Sequence, residues 1–148
     1  MDTIIISLSQ SICRPLPLCA TSPSSLLVAS LCCQQPFADR RKVKSFCVGS
    51  EGGAYEGRGW EVIGIHAPQA NNVSIGICLI GDWRYELPPQ IQLETTKALI
   101  ATGLKRGIIS PHYKLIGHSQ ATTTECPGTA LLDHIATWPH YVPGKIDF

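Results

Sequence analysis

The strongest constraint on the fold is an apolar stretch, residues 73–81, which reads VSIGICLIG. It is rich in β-branched residues and does not alternate between apolar and polar positions. This pattern predicts a strand that is buried on both of its faces. Such a strand lies at the centre of a sheet, so the segments on either side must supply neighbouring strands and covering helices.

The remaining segments supply the expected neighbours. Short β-branched or aromatic runs predict four more strands, at Thr3–Ile6, Phe46–Val48, Ala54–Glu56 and Tyr113–Ile116. Apolar positions at helical spacing predict three helices, over residues 20–35, 90–106 and 128–137, and the second carries Leu93, Ile100, Ala101 and Leu104 on one face. The predicted fold class is therefore α/β, with a central mixed β-sheet flanked by about three helices.

Length and composition limit the possible functions. The chain has 148 residues, of which 44% are hydrophobic and 16% charged, so one globular domain with a real core is expected. A formal net charge of +1 gives no reason to expect a nucleic-acid partner. No apolar run is long enough to predict a membrane span. The regular pattern begins near residue 45, which divides the chain into residues 1–44, 45–141 and a tail, 142–148.

Seven cysteines are more than is usual for a cytosolic enzyme, and they predict an oxidising, extracellular compartment with at least one disulfide. Cys13 and Cys19 are the favoured pair, because Pro15 and Pro17 lie between them and favour a tight turn. The odd number leaves one thiol unpaired. The first residues show no clear signal peptide, since they lack a positively charged start.

The chemistry of the chain is concentrated between His118 and Cys126. The imidazole follows a predicted strand and the thiol precedes a predicted helix, with the hydroxyl-rich residues 122–124 between them. Nitrogen and thiolate sulfur are good ligands for zinc, but a catalytic zinc site normally has three protein ligands. The spacing alone is equally compatible with a buried cysteine and a structural histidine.

Several short motifs occur in a fixed order along the chain and, together with this site, form a recognisable pattern. The chain closely resembles the peptidoglycan recognition proteins of animals, which share a fold with zinc-dependent N-acetylmuramoyl-L-alanine amidases. The resemblance covers about residues 45–141, and it rests on the blocks AYEGRGW at 54–60, GIHA at 64–67, SIGI at 74–77, LIGH at 115–118, CPG at 126–128 and TWPH at 137–140.

This resemblance implies a metal site and its catalytic neighbours. It makes His118 and Cys126 zinc ligands and Thr124 the residue that assists the attacking water. The third ligand of the family, a histidine at the end of the first strand, has no counterpart here, and counting back places Leu8 or a neighbour at its position. The tyrosine of the family falls on Lys44, which can also donate a hydrogen bond to an oxyanion. Zinc is therefore the cofactor of the family, with one ligand missing in this chain.

The resemblance also implies a binding groove for a muramyl peptide of bacterial peptidoglycan. His66 and Asn71 match positions that contact the sugar and the stem peptide, and Arg58, Gly59 and Trp60 belong to the adjacent segment. Without the family, His66 would be interpreted as a surface imidazole and Trp60 as a core residue.

Three functions are compatible with these observations. The retained groove blocks favour a peptidoglycan-binding protein of innate immunity with weak or no hydrolysis. The retained His118, Thr124 and Cys126 favour an active zinc amidase that cleaves the lactyl–L-alanine amide bond. The degraded first 44 residues are compatible with a truncated or alternatively spliced chain that folds poorly. The missing ligand favours the first function.

Overall fold

The computed structural model describes residues 1–9 and 44–148. Within them the elements are β1 (Thr3–Ser9), β2 (Phe46–Val48), β3 (Ala54–Glu56), β4 (Ser74–Ile80), α1 (Gln90–Lys105), β5 (Lys114–Gly117), α2 (His118–Ala121) and α3 (Thr129–Ile135). The helix predicted over residues 20–35 and the predicted pair Cys13–Cys19 lie outside the described residues. All five predicted strands are present.

The strands form one mixed sheet in the order β3-β2-β4-β1-β5. β2 and β3 form the antiparallel hairpin, while β4 is parallel to both β2 and β1, and β1 is parallel to β5. The predicted fold class, a mixed sheet flanked by helices, is confirmed. The apolar stretch at 73–81 is a central strand as predicted, and the first residues of the chain form the strand beside it.

Alternation along the strands sends one set of side chains into a large core beneath the helices. We call this side of the sheet the helix face. Its fully buried members include Ile4 and Ile6 from β1 and Ile77 and Leu79 from β4. Residues from α1 and α3 complete this core, among them Leu93, Ile100, Leu131 and Ile135. Among the described elements, α1 and α3 therefore cover the helix face.

The opposite side of the sheet, which we call the loop face, carries a smaller core. Ile5 and Ile116 are fully buried there against Ala67 and Ala70, which belong to the loop that precedes β4. Val142 and Ile146 from the predicted tail also pack against this cluster, and the backbone N–H of Ile146 donates to the carbonyl of Gln120. Among the described residues, two irregular segments and Ala121 of α2 thus pack on the loop face.

Two details of the helices differ from the sequence expectations. Ala101 of α1 is exposed, and the buried face of this helix is formed by Gln92, Leu93, Thr96, Ile100 and Gly103. Gln92 is buried because its amide donates to the carbonyls of Val48 and Ile80, at the ends of two neighbouring strands. The second difference is α2, one short turn of helix at His118–Ala121 that the sequence patterns did not predict. The hydroxyl-rich residues 122–124 that follow it are irregular, as expected.

No helix in the described ranges, 1–9 and 44–148, has both the length and the apolar character needed to cross a bilayer.

The position of β1 in the sheet makes a prediction about stability. Ile6 is fully buried, so Ile6→Ala is expected to lower the free energy of unfolding by about 3 kcal/mol through lost burial and the cavity left behind. Val62 is 53% exposed, and Val62→Ala is expected to change the free energy of unfolding by less than about 0.5 kcal/mol. Urea unfolding followed by tryptophan fluorescence measures both. Equal losses in the two variants would show that β1 is not part of the cooperative core.

Candidate functional site

His118 begins α2 directly after β5, and a hydrogen bond fixes the orientation of its ring. Its Nε2 lies 2.6 Å from the backbone carbonyl oxygen of His66. A carbonyl oxygen only accepts, so Nε2 carries the proton and the lone pair is on Nδ1. Nδ1 is buried and has no hydrogen-bond partner. The ring therefore presents an unsatisfied lone pair, which is the form of histidine that binds a metal.

The loop that carries Cys126 folds back onto α2. The backbone N–H of Ser119 donates to the carbonyl of Cys126 at 2.6 Å, which places the residues that follow His118 beside the cysteine. The N–H of Cys126 in turn donates to the hydroxyl of Thr124 at 3.3 Å. The peptide bond from Cys126 to Pro127 is cis. The structure thus brings together His118, Thr124 and Cys126, the three predicted residues of this loop.

His66 is part of a tight loop on the same face of the sheet. The side-chain oxygen of Asn71 accepts hydrogen bonds from the backbone N–H groups of His66 and Ala67, both at 2.9 Å. The His66 Nε2 donates to the hydroxyl of Ser74 at 2.8 Å, because that hydroxyl already donates to the carbonyl of Ala70. Asn71 therefore holds the loop closed, and its amide nitrogen is the part that remains for a ligand.

The His66 ring occupies a slot that exists because two neighbours lack side chains. A Cβ atom built on Gly64 or on Gly76 would lie 2.6 Å from the His66 Nδ1. His66 is only 8% exposed, and its Nδ1 has no hydrogen-bond partner. The block GIHA and the glycine of SIGI are thus parts of one packing arrangement, which places the imidazole on the loop face of β4.

Lys44 is half-buried, and its charge adds to the effect of burial on the pKa of both histidines. Burial, followed by the charge of Lys44, lowers the pKa of His118 from 6.5 to about 4. Burial, Lys44 and then His118 lower the pKa of His66 to about 4. Burial also lowers the pKa of Lys44 itself, which the nearby thiols of Cys78, Cys126 and Cys47 partly oppose. Both imidazoles are therefore neutral at physiological pH.

The three predicted residues of the adjacent segment lie elsewhere. Trp60 is 9% exposed and belongs to the large core, where its ring centroid is 4.4 Å from that of Phe46. This position matches the interpretation as a core residue and lies on the helix face, away from His118. Gly59 has a φ of +67°, which favours glycine, and the Arg58 guanidinium donates to the carbonyl of Ile63 at 2.9 Å. Arg58 and Gly59 shape this turn.

An open cleft of about 280 Å³ adjoins the histidine cluster. It is lined by residues 68–69, which follow the His66 loop, by residues 119–123, which follow His118, and by residues 145–147. Hydroxyl and amide groups from Ser119, Gln120, Thr122 and Thr123 are among its walls. This cleft is mainly polar, and its lining does not include the predicted groove residues His66, Asn71, Arg58, Gly59 and Trp60.

The residues that could hold a metal do not form a complete site. Within residues 1–9 and 44–148, no three side chains of His, Cys, Asp or Glu come close enough together to hold an ion. His118 offers a buried lone pair and Cys126 a thiol, but catalytic zinc normally has three protein ligands. The described donor set is thus one ligand short of a catalytic zinc centre.

The backbone register identifies the β1 position nearest to His118. Ile6 pairs with Gly117, so continuing the register by one residue brings position 7 beside His118. Position 7 also pairs with Cys78 on the loop face, whereas position 8 pairs with Leu79 of the large core. Position 7, a serine, is therefore the place where a third ligand would be expected, one residue before the position obtained by counting.

Sequence reasoning passed over one residue at the rim of the site. Arg84 follows the end of β4 and forms a two-pronged salt bridge with Asp82, with a shortest distance of 2.7 Å. This hydrogen-bonded carboxylate raises the pKa of Arg84, and Glu125 adds a smaller contribution from the loop of Cys126. The signal in the sequence was the position of this arginine just after a central strand, where ligand-binding residues of α/β folds are common.

Comparison with known proteins gives a consistent result. The family model described as N-acetylmuramoyl-L-alanine amidase matches residues 20–129. Peptidoglycan-recognition protein LB of Drosophila melanogaster is 55% identical over 97 residues, which are 66% of this chain and 42% of that protein. Human N-acetylmuramoyl-L-alanine amidase is 41% identical over 98 residues, 66% of this chain and 17% of that protein. The chain therefore spans less than half the length of either relative.

Solved structures agree with the sequence relatives. The wild-type Drosophila LB protein superposes with a TM-score of 0.77 at 42% identity and covers 95% of this chain and 82% of that one. Peptidoglycan recognition protein LE, in complex with tracheal cytotoxin, superposes with a TM-score of 0.66 at 43% identity. It covers 67% of this chain and 58% of that one.

The lowered pKa values of the two histidines predict a loss of stability in mild acid. Each ring binds a proton at about pH 4 in the folded state but near 6.5 when unfolded, so the stability they contribute is complete above pH 6.5 and falls towards pH 4. Because both rings keep some solvent contact, we expect a total loss of roughly 2 kcal/mol between pH 7 and pH 5.

Urea unfolding at the two pH values, in the presence of a chelator, measures this loss. His66→Gln is expected to remove about half of the pH dependence, whereas the exposed His112→Gln is expected to leave it unchanged. A wild-type protein that is equally stable at pH 7 and pH 5 would contradict the assignment of neutral, buried imidazoles.

Proposed function

Because the chain belongs to the N-acetylmuramoyl-L-alanine amidase family and, within it, to the peptidoglycan recognition proteins, we propose that it binds muramyl peptides of the bacterial cell wall. We further propose that it acts in innate immunity as a secreted protein with weak or no hydrolysis. The LE relative is solved in complex with a monomeric diaminopimelic acid-type peptidoglycan, which supports a ligand of this chemical class.

The observation that carries this proposal is the cluster of Lys44, His66 and His118 beside the polar cleft. A muramyl peptide presents sugar hydroxyls, amide groups and carboxylates. The Lys44 ammonium suits a carboxylate, and the hydroxyls and amides around residues 119–123 suit the sugar and the peptide backbone. The Asn71 amide nitrogen lies on the same loop as His66 and adds a donor.

Two features support weak or absent hydrolysis. The described residues supply His118 and Cys126 but no third ligand for zinc. In addition, Lys44 disfavours positive charge at His118, as the lowered pKa of this histidine indicates, and it would equally oppose a divalent cation held there. The second candidate function is an active zinc amidase. It is favoured by the hydrogen bond from the backbone N–H of Cys126 to the hydroxyl of Thr124.

The proposed contact with a carboxylate predicts a specific loss of affinity. Lys44→Met is expected to weaken binding of a soluble muramyl tripeptide about tenfold, because a charged hydrogen bond of about 1.4 kcal/mol is lost. Lys105→Met, at the far end of α1, is the matched control and is expected to bind as the wild type does. Isothermal titration calorimetry measures both variants. Their melting temperatures establish that neither is unfolded.

Retention of the wild-type chain on insoluble peptidoglycan at physiological salt tests the ligand class directly. Chitin, which has the sugar polymer without the stem peptide, is the control matrix. We expect retention on peptidoglycan that the soluble muramyl tripeptide competes away. Failure to be retained would reject the binding proposal, and equal retention on chitin would reject recognition of the peptide.

The missing ligand predicts that one substitution creates a firm zinc site. Ser7→His is expected to raise the zinc content after dialysis from well below one ion to about one ion per chain, because position 7 follows Ile6, whose partner Gly117 precedes His118. Leu8→His is the matched control, since position 8 pairs with a residue of the large core. Elemental analysis measures the metal. One firmly held zinc in the wild-type chain would instead support the amidase alternative.

A further inference from the structure

Two cysteines lie side by side on the loop face of the sheet. Cys47 of β2 and Cys78 of β4 are direct partners in the parallel register of these strands. Their sequence neighbours Phe46, Val48, Ile77 and Leu79 all enter the large core, so both cysteines lie on the opposite face. Cys78 is buried and Cys47 is partly accessible. We call Cys47 and Cys78 the thiol pair.

The geometry of the thiol pair matches that of a disulfide. Neighbouring strands lie about 4.8 Å apart, and cysteines joined by a disulfide have Cα atoms about 4.4–6.8 Å apart. The two side chains are also close enough to form a hydrogen bond with each other. The two cysteine side chains therefore lie on the same side of the sheet, and their Cα atoms have a separation that a disulfide can span.

Burial and the charge of Lys44 act in opposite directions on the thiol pair. Lys44, which precedes Cys47 by three residues, interacts electrostatically with both sulfurs. The hydrogen bond with Cys78, and then burial, raise the pKa of Cys47, so in this pair Cys47 keeps its proton and donates it towards Cys78.

We propose that Cys47 and Cys78 form a redox-active dithiol, which a hydroperoxide converts into a disulfide that joins β2 to β4. One sulfur attacks the peroxide and becomes a sulfenic acid, with release of one molecule of water. The second sulfur then attacks the first and expels the sulfenic oxygen as a second water. In total, two thiols and one hydrogen peroxide give one disulfide and two waters. The proposal does not rest on the proposed binding function, although Lys44 is a neighbour of both sites.

Peptide mapping of the wild-type chain tests this proposal. Cleavage after Lys and Arg places Cys47 in peptide 45–58, Cys78 in peptide 59–84 and Cys126 in peptide 115–145. The reduced chain is treated with one equivalent of hydrogen peroxide and then with an alkylating agent. We expect peptides 45–58 and 59–84 to be linked and two hydrogens lighter, and dithiothreitol to separate them. Cys126 is expected to be alkylated in both the reduced and the oxidised samples.

Two variants add an independent readout. Oxidation is expected to raise the melting temperature of the wild-type chain by about 5 °C, because the new bond constrains the unfolded chain. Cys126→Ser should show the same rise, while Cys47→Ser should show none. Full alkylation of Cys47 and Cys78 after oxidation, or linkage of either one to Cys126, would overturn the proposal. The wild-type map decides the question even if Cys47→Ser does not fold.

Discussion

The alternation of side chains along β4 is the constraint on which the rest of the structure depends. Ile75, Ile77 and Leu79 enter the large core, so Gly76 and Cys78 necessarily lie on the loop face. Because Gly76 lacks a side chain, the His66 ring can rest against the strand. A shift of one residue in register would exchange the β4 side chains of the helix face with those of the loop face. Branched apolar side chains would then lie where the imidazole lies. The site therefore exists only in the register that also builds the core.

The histidine cluster follows from this packing through one hydrogen bond. The His66 carbonyl accepts from the His118 Nε2, which joins the loop before β4 to the start of α2. The same bond sets the tautomer of His118 and directs its lone pair to Nδ1. Two segments that are far apart in sequence are thus combined into one site by a backbone acceptor. Because the acceptor is a backbone carbonyl oxygen, this hydrogen bond depends on the backbone conformation of the loop more than on the side chains of the loop.

Much of the fold could be predicted from local pattern, but the site needed more. The apolar run of β4 and the helical spacing of α1 are local signals, and both elements form where they were expected. The position of β1 between β4 and β5 is a non-local pairing, which no local period specifies. The resemblance assigned roles to His118, Thr124 and Cys126, and these roles stay predictions, although the loop of Cys126 does fold back onto α2. It misplaced Trp60, because the face that a loop residue presents is decided by tertiary packing and not by periodicity.

Lys44 connects the two unusual properties of the loop face. An ammonium close enough to lower the pKa of both His66 and His118 acts against any additional positive charge at the same place. A divalent metal would meet this repulsion together with a ligand set that is one donor short. The same ammonium interacts favourably with negative charge, which is the basis of its proposed contact with a ligand carboxylate. The resemblance implies a neutral tyrosine at this position, and a lysine there would favour anions over a metal cation.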